Sequence, residues 1–154
     1  MGNSLALMGP ATGQKRTDKE IIAEFAILRS PDPYVIHSNP GGDIQEYHGR
    51  YRLLQAVVRN VEIRGHCMSA CTLVLHHFSK ERLCFGEGAA LQFHQASFYS
   101  GRASLEHTQW MVDGYPEDIR KWVAAMGGIE RMPHQGAWIL SAPQLWQMGY
   151  KRCE

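Results

Sequence analysis

Three short stretches of this 154-residue chain carry residue types that could do chemistry together. They are Ser38-Asn39-Pro40-Gly41-Gly42-Asp43, Gly65-His66-Cys67-Met68-Ser69-Ala70-Cys71 and Leu91-Gln92-Phe93-His94-Gln95-Ala96. Ser69 falls between an extended stretch and an apolar helical one. Its hydroxyl is thereby set at a helix start, where amide N–H groups and the helix dipole favour developing negative charge. That place suits a nucleophile, and it equally suits a helix N-cap, for which serine is a preferred residue. Gly41 and Gly42 lack side chains, so their backbone amides can approach a ligand closely and point at an oxyanion; the same run is also ordinary turn chemistry. His94 ends a strand, in reach of general-base work, although a single histidine is more often a hydrogen-bonded structural residue. Eight histidines and four cysteines invite a metal, yet no four-ligand pattern is present: Cys67 and Cys71 share a helical spacing beside His66, and His76 and His77 point in different directions from a helix. No metal and no cofactor is expected.

Positioning those residues requires strands that end where the special turns begin. Leu5 to Met8, closed by Gly9-Pro10, reads as a short strand. Thr17 or Asp18 then caps a helix with Ile21, Ile22, Phe25, Ala26 and Leu28 on one face, ended by Pro31 and Pro33. Tyr34 to Ile36 is a second strand, running into the Pro-Gly-Gly turn, and a helix from about Ile44 to Arg59 follows with Tyr47, Tyr51, Leu54 and Val57 or Val58 on one side. Val61 to Arg64 alternates as a third strand, enters the turn Gly65 to Ser69, and gives way to a buried helix from Ala70 to Phe78. Leu83 to Phe85 and Ala90 to Phe93 are strands separated by Gly86-Glu87-Gly88. Helices are expected over Leu105 to Val112 and Pro116 to Met126, with a last one after Ser141-Ala142-Pro143. Trp110, Trp122, Trp138 and Trp146 are assigned to those C-terminal helices, as core or interface residues. Repeated strand, turn and helix units predict an α/β fold with a largely parallel sheet and surrounding helices. In such sheets ligands sit at the carboxyl ends of the strands, where all three special turns fall. No linker or internal repeat divides the chain, so one domain over residues 1–154 is expected.

In this order and spacing, the three stretches resemble the Clp protease proteolytic subunit and its relatives in the ClpP/crotonase superfamily. Members carry an Asn-Ser-Pro-Gly-Gly type turn, a nucleophilic Ser about one α/β unit later, and a His after a following strand. Here the turn is Ser38 to Asp43, the serine is Ser69, and His94 follows it by 25 positions. The Cys-x-Ser-Ala-Cys form is similar to a periplasmic-type branch of Clp-like proteins. Ile139-Leu140-Ser141-Ala142-Pro143-Gln144, with Met148-Gly149-Tyr150, resembles a later family segment, so the likeness runs from Leu5 to about Tyr150. It implies a ββα-repeat fold and a serine peptidase in which Ser69 attacks a peptide carbonyl, His94 takes its proton, and the backbone N–H groups of Gly41 or Gly42 and of Ala70 hold the oxyanion. It also implies a peptide or protein substrate, paired in extended form with a strand edge, and a homo-oligomer. One departure stands out: the family's orienting Asp falls at Ala137 here. Asp113, Asp118, Glu130, His134 and Gln135 are the polar residues that could replace it, and spacing selects none of them, so the third triad member is unassigned. Two other readings follow: a Clp-like pseudoenzyme that binds peptide or assembles without turnover, and a crotonase-type acyl-CoA enzyme, which does not need the Ser and His pair.

Composition narrows the classes. Formal net charge is +1, with 16 basic and 15 acidic residues, which gives no electrostatic footprint for nucleic acid or an acidic membrane surface. No apolar run reaches the length of a membrane span. Met1 to Pro10 lacks the basic region and apolar run of a secretory signal, so the sequence as it stands reads as cytoplasmic, and as periplasmic if a leader has been removed. Cys67 and Cys71 are expected to be small buried thiols; one disulfide among Cys67, Cys71 and Cys84 is the alternative in an exported protein.

Overall fold

The structure, a computed structural model, describes residues 16–154; the strand expected over Leu5 to Met8 lies outside the described residues. Helix α1 (Asp18–Leu28) starts where Thr17 caps it. The Thr17 hydroxyl accepts from the Glu20 N–H at 3.1 Å and the Glu20 carboxylate accepts from the Thr17 N–H at 2.7 Å, a reciprocal capping box. Its inward face is not the expected one. Glu24, paired with Arg16, and Ile27 are buried, while Ile22, Phe25 and Leu28 are 67, 56 and 41% exposed. An apolar stripe is a property of the helix; which neighbour covers it is decided by the rest of the chain.

Strand β1 (Tyr34–Ile36) leads through the Gly41 turn to α2 (Ile44–Leu54), where Asp43 Oδ1 caps the helix by accepting from the Glu46 N–H at 2.9 Å. This helix is shorter than the expected Ile44 to Arg59, but it buries Tyr47, Tyr51 and Leu54 as its spacing predicts. Strand β2 (Val61–Ile63) is followed immediately by β3 (His66–Met68), so the expected turn Gly65 to Ser69 is itself mostly a strand. The bend between them passes close to β1. A Cβ on Gly65 would lie 2.7 Å from the Ser38 nitrogen, which no side chain tolerates. The buried segment after Ser69 starts as a 3-10 turn (Ser69–Leu73) before becoming α3 (Val74–His77), rather than one α-helix. Then come β4 (Leu83–Phe85), β5 (Ala90–Phe93), α4 (Leu105–Asp113), α5 (Glu117–Ala125), β6 (Trp138–Ser141), α6 (Ala142–Gln147) and β7 (Lys151–Arg152). Trp138 therefore sits on a strand and not on a helix.

Consecutive strand pairs divide between two sheets. Strands β1, β2, β4 and β7 form a parallel sheet in that order; β3, β5 and β6 form the second, with β3 and β5 parallel and β6 antiparallel to β5. The α/β architecture with a largely parallel arrangement and surrounding helices is as expected. Both sheets and the helices share one apolar core, in which Ile63, Leu73, Phe85, Leu91, Ile119 and Leu145 are fully buried. No described helix is long and apolar enough to cross a membrane.

All four cysteines are oxidised: Cys67 pairs with Cys71 and Cys84 with Cys153. This corrects the expectation of free thiols at Cys67 and Cys71, although both are buried as anticipated. Their Cα atoms are 5.3 Å apart, within disulfide reach, across the bend where β3 ends and the 3-10 turn begins.

Candidate active site

Register brings the three turns to one edge. Met68 on β3 is opposite Gln92 on β5, and an isolated parallel bridge places Asn39 opposite Cys67. The chains leaving these three neighbours are the Gly41 turn, Ser69 and His94. Ser69 and His94 both line an open cleft of about 560 Å³, with Gly42, Asp43, Ala96 and Phe98 among its other walls. Behind them a small recess is lined by Phe93, Met111, Met132 and Tyr115. Both residues are half-buried, and no hydrogen bond joins Ser69 Oγ to the imidazole among the described residues.

Ser69 has φ +55°, the only positive φ of a non-glycine residue among those described. An L-residue in that region is held there at a cost of roughly 1–2 kcal/mol, so its surroundings must impose it. Several do. The Ser69 carbonyl accepts from the Thr72 hydroxyl at 2.6 Å, and Thr72 Oγ1 shares a 2.5 Å hydrogen bond with the buried Tyr115 hydroxyl. Met68 N–H donates to Asn39 O at 3.0 Å, which ties the residue before Ser69 to the Gly turn. The Cys67–Cys71 disulfide closes the bend on both sides.

Gly41 faces this turn at φ +84°, and a Cβ there would fall 2.6 Å from Met68 O and 2.9 Å from Ala70 N. Only a glycine permits the approach. The Gly41 N–H donates to Asn39 Oδ1 at 2.9 Å, the same oxygen that accepts from the Tyr47 hydroxyl at 2.9 Å. Asn39 thus shapes the turn from within, a role the sequence reading did not assign. Of the two glycines, Gly41 has its N–H engaged by this contact, while Gly42 lines the cleft.

The His94 ring is oriented by a backbone group. Its Nδ1 lies 2.8 Å from Gln95 O, and because a carbonyl only accepts, Nδ1–H is the donor of this hydrogen bond. Gln95 is in turn fixed twice by one loop: its N–H donates to Pro133 O at 2.8 Å and its Nε2 to Ile129 O at 2.8 Å. Among the described residues no carboxylate hydrogen-bonds or ion-pairs with the ring. Asp118 is committed to Lys80 at 3.0 Å and Tyr150 at 3.3 Å, and Asp113 accepts from Gln109 at 2.7 Å. Gln95 and its loop partners escaped the sequence reading because a backbone acceptor leaves no residue-type signature.

Across the cleft, the exposed Tyr99 donates its hydroxyl to Asp43 Oδ2 at 2.5 Å. That bond, with the helix-start N–H groups on the same carboxylate, holds Asp43 below the usual carboxylate range. Among the described residues no group of three or more His, Cys, Asp or Glu is placed to hold a metal ion.

No family model matches the chain, and no curated protein matches it. Among solved structures it is similar to the crystal structure of the ClpP protease catalytic domain from Plasmodium falciparum. The TM-score is 0.57 at 16% sequence identity, covering 92% of this chain and 80% of that one. The fold is therefore ClpP-like, a mixed α/β architecture with a parallel sheet.

Proposed function

We propose that the protein is a Clp-protease-like serine peptidase working through a Ser69/His94 dyad. The observation that carries this reading is the 2.8 Å hydrogen bond between His94 Nδ1 and Gln95 O. With Nδ1–H bound to Gln95 O, the ring is the tautomer whose Nε2 can accept a proton, at the rim of the cleft that Ser69 also lines.

In this scheme His94 Nε2 takes the Ser69 Oγ proton as the oxygen bonds to a peptide carbonyl carbon. The tetrahedral oxyanion is held by the backbone N–H groups of Ala70 and of the Gly41-Gly42 turn, of which Gly42 fits best because the Gly41 N–H already serves Asn39. The imidazolium returns the proton to the leaving amine as the C–N bond breaks, and water, deprotonated by the same nitrogen, releases the acyl group from Ser69. The first step requires Ser69 Oγ and His94 Nε2 to come within hydrogen-bond reach, a contact that often tightens only when substrate binds. Gln95 O replaces the family's orienting carboxylate, holding the tautomer without supplying a charge to stabilise the imidazolium. Turnover is expected to be low for that reason.

A second reading, a Clp-like pseudoenzyme that binds peptide without hydrolysing it, is favoured by Ala137 standing where the acid belongs. A fluorophosphonate probe separates the two. Covalent labelling of the wild type that is lost in S69A supports the peptidase; a folded wild type that stays unlabelled while binding extended peptides supports the pseudoenzyme.

A further inference from the structure

We infer that the Cys67–Cys71 disulfide is a positioning device for the nucleophile turn, so that the reactivity of Ser69 depends on this pair being oxidised. The inference rests on the Ser69 reading above. The disulfide brackets the two residues that reading uses, Ser69 for its hydroxyl and Ala70 for its N–H, in a loop with a sequence separation of 4. Ser69 lies in the left-handed region, which a serine leaves readily unless its neighbours forbid it.

Each end of the bridge is anchored to the other half of the site. Cys67 is the residue bridged to Asn39, whose side chain holds the Gly41 N–H. Cys71 Sγ accepts from the Tyr51 hydroxyl at 3.5 Å, and Tyr51 belongs to the helix that follows the Gly41 turn. Both cysteines are fully buried. The bridge is thus a buried strut between the Gly turn and the serine turn. By contrast Cys84–Cys153 ties β4 to the chain end after β7, and neither of its cysteines lines the cleft. A shift of about 1 Å at the reacting atom costs on the order of 10²-fold in rate, so a strut that fixes this turn has a direct effect on reactivity.

The test compares wild type, C67A/C71A and C84A/C153A for the rate of fluorophosphonate labelling across pH, for thermal melting, and for the Ser69 φ by crystallography or backbone coupling constants. The expected result is a loss of labelling of about 10²-fold in C67A/C71A, with Ser69 leaving positive φ. C84A/C153A should label at the wild-type rate. Treating C84A/C153A with a phosphine reductant should lower labelling in step with the appearance of two thiols, and reoxidation should restore it; this arm serves if C67A/C71A does not fold. Wild-type labelling in folded C67A/C71A, or a retained positive φ at Ser69, would overturn the inference. An unlabelled wild type would instead sink the peptidase reading, leaving the Ser69 φ to judge the strut.

Discussion

Ser69 and His94 leave neighbouring parallel strands at nearly the same level: Ser69 is one residue past Met68, and His94 is two past Gln92, its partner in register. Paired strands lie about 4.8 Å apart, so residues just beyond such a pair fall within side-chain reach of each other. A slip of one residue would turn every side chain of β5 to the opposite face.

Gly41→Ala should be the most damaging small change in the turn. The new methyl would fall 2.6 Å from Met68 O on a backbone at φ +84°, combining left-handed strain of roughly 1–2 kcal/mol with overpacking of about 1–3 kcal/mol. Gly101→Ala is the matched control, with a similar φ of +88° and nothing within 4 Å. Urea titrations should give a clearly larger loss for G41A, accompanied by loss of Ser69 labelling; equal losses would mean that the close approach is unimportant.

Gln95→Ala removes the side-chain bond to Ile129 O, 2.8 Å long, while keeping the carbonyl that accepts from His94 Nδ1–H. The stability cost should be about 1 kcal/mol. Labelling should fall about tenfold or more through misorientation of the ring, on the scale at which an angstrom of misplacement matters. Normal labelling in Q95A would remove Gln95 from the site.

Asn39→Ala strips one oxygen that accepts from both Gly41 N–H and the Tyr47 hydroxyl. Leaving the buried Tyr47 hydroxyl without this acceptor should cost about 1–3 kcal/mol. Asn39→Asp keeps the acceptor and should recover much of the melting temperature lost in N39A; failure to do so would point to the Asn39 amide nitrogen instead.

Acid should destabilise the fold through a histidine cluster away from the cleft. His77 Nε2 lies 3.1 Å from His48 Nδ1, and His76 and Trp110 complete the group. Burial, with His48 and His76 close by, pushes the His77 imidazole from 6.5 down to about 3, and burial lowers His48 and His76 as well. In the unfolded chain these rings protonate near pH 6.5, where in the fold they stay neutral. The His77 contribution is therefore complete above about 6.5 and is lost as pH falls from there towards 3, and the lowered His48 and His76 add to the loss in the same direction. Denaturation midpoints at pH 7.5, 5.5 and 4.5 should fall in that order, and H77Q should flatten the trend.

Removing Cys84–Cys153 should lower global stability, because that bridge closes a loop with a sequence separation of 69. Loop-closure entropy puts the effect at about 2–4 kcal/mol. The melting temperature of C84A/C153A should drop by several degrees; an unchanged value would mean that the chain end contributes little.

What lay within a few residues of itself was legible in the chain. The cap at Thr17, the short strands at Tyr34 and Val61 and the order of the Gly41, Ser69 and His94 turns all follow from local sequence, since helix caps, side-chain periodicity and turn chemistry act over about four positions. The resemblance to Clp subunits also put Ala137 where an orienting Asp is expected. Only the tertiary structure decided what joined distant residues: the register that levels Ser69 with His94, the Gln95 carbonyl on the ring, the two disulfides, and the face of α1 that turns inward. The reason is physical. A backbone carbonyl belongs to every residue, and a register or a covered face is a relation between segments, so neither is written into the identity of any one position.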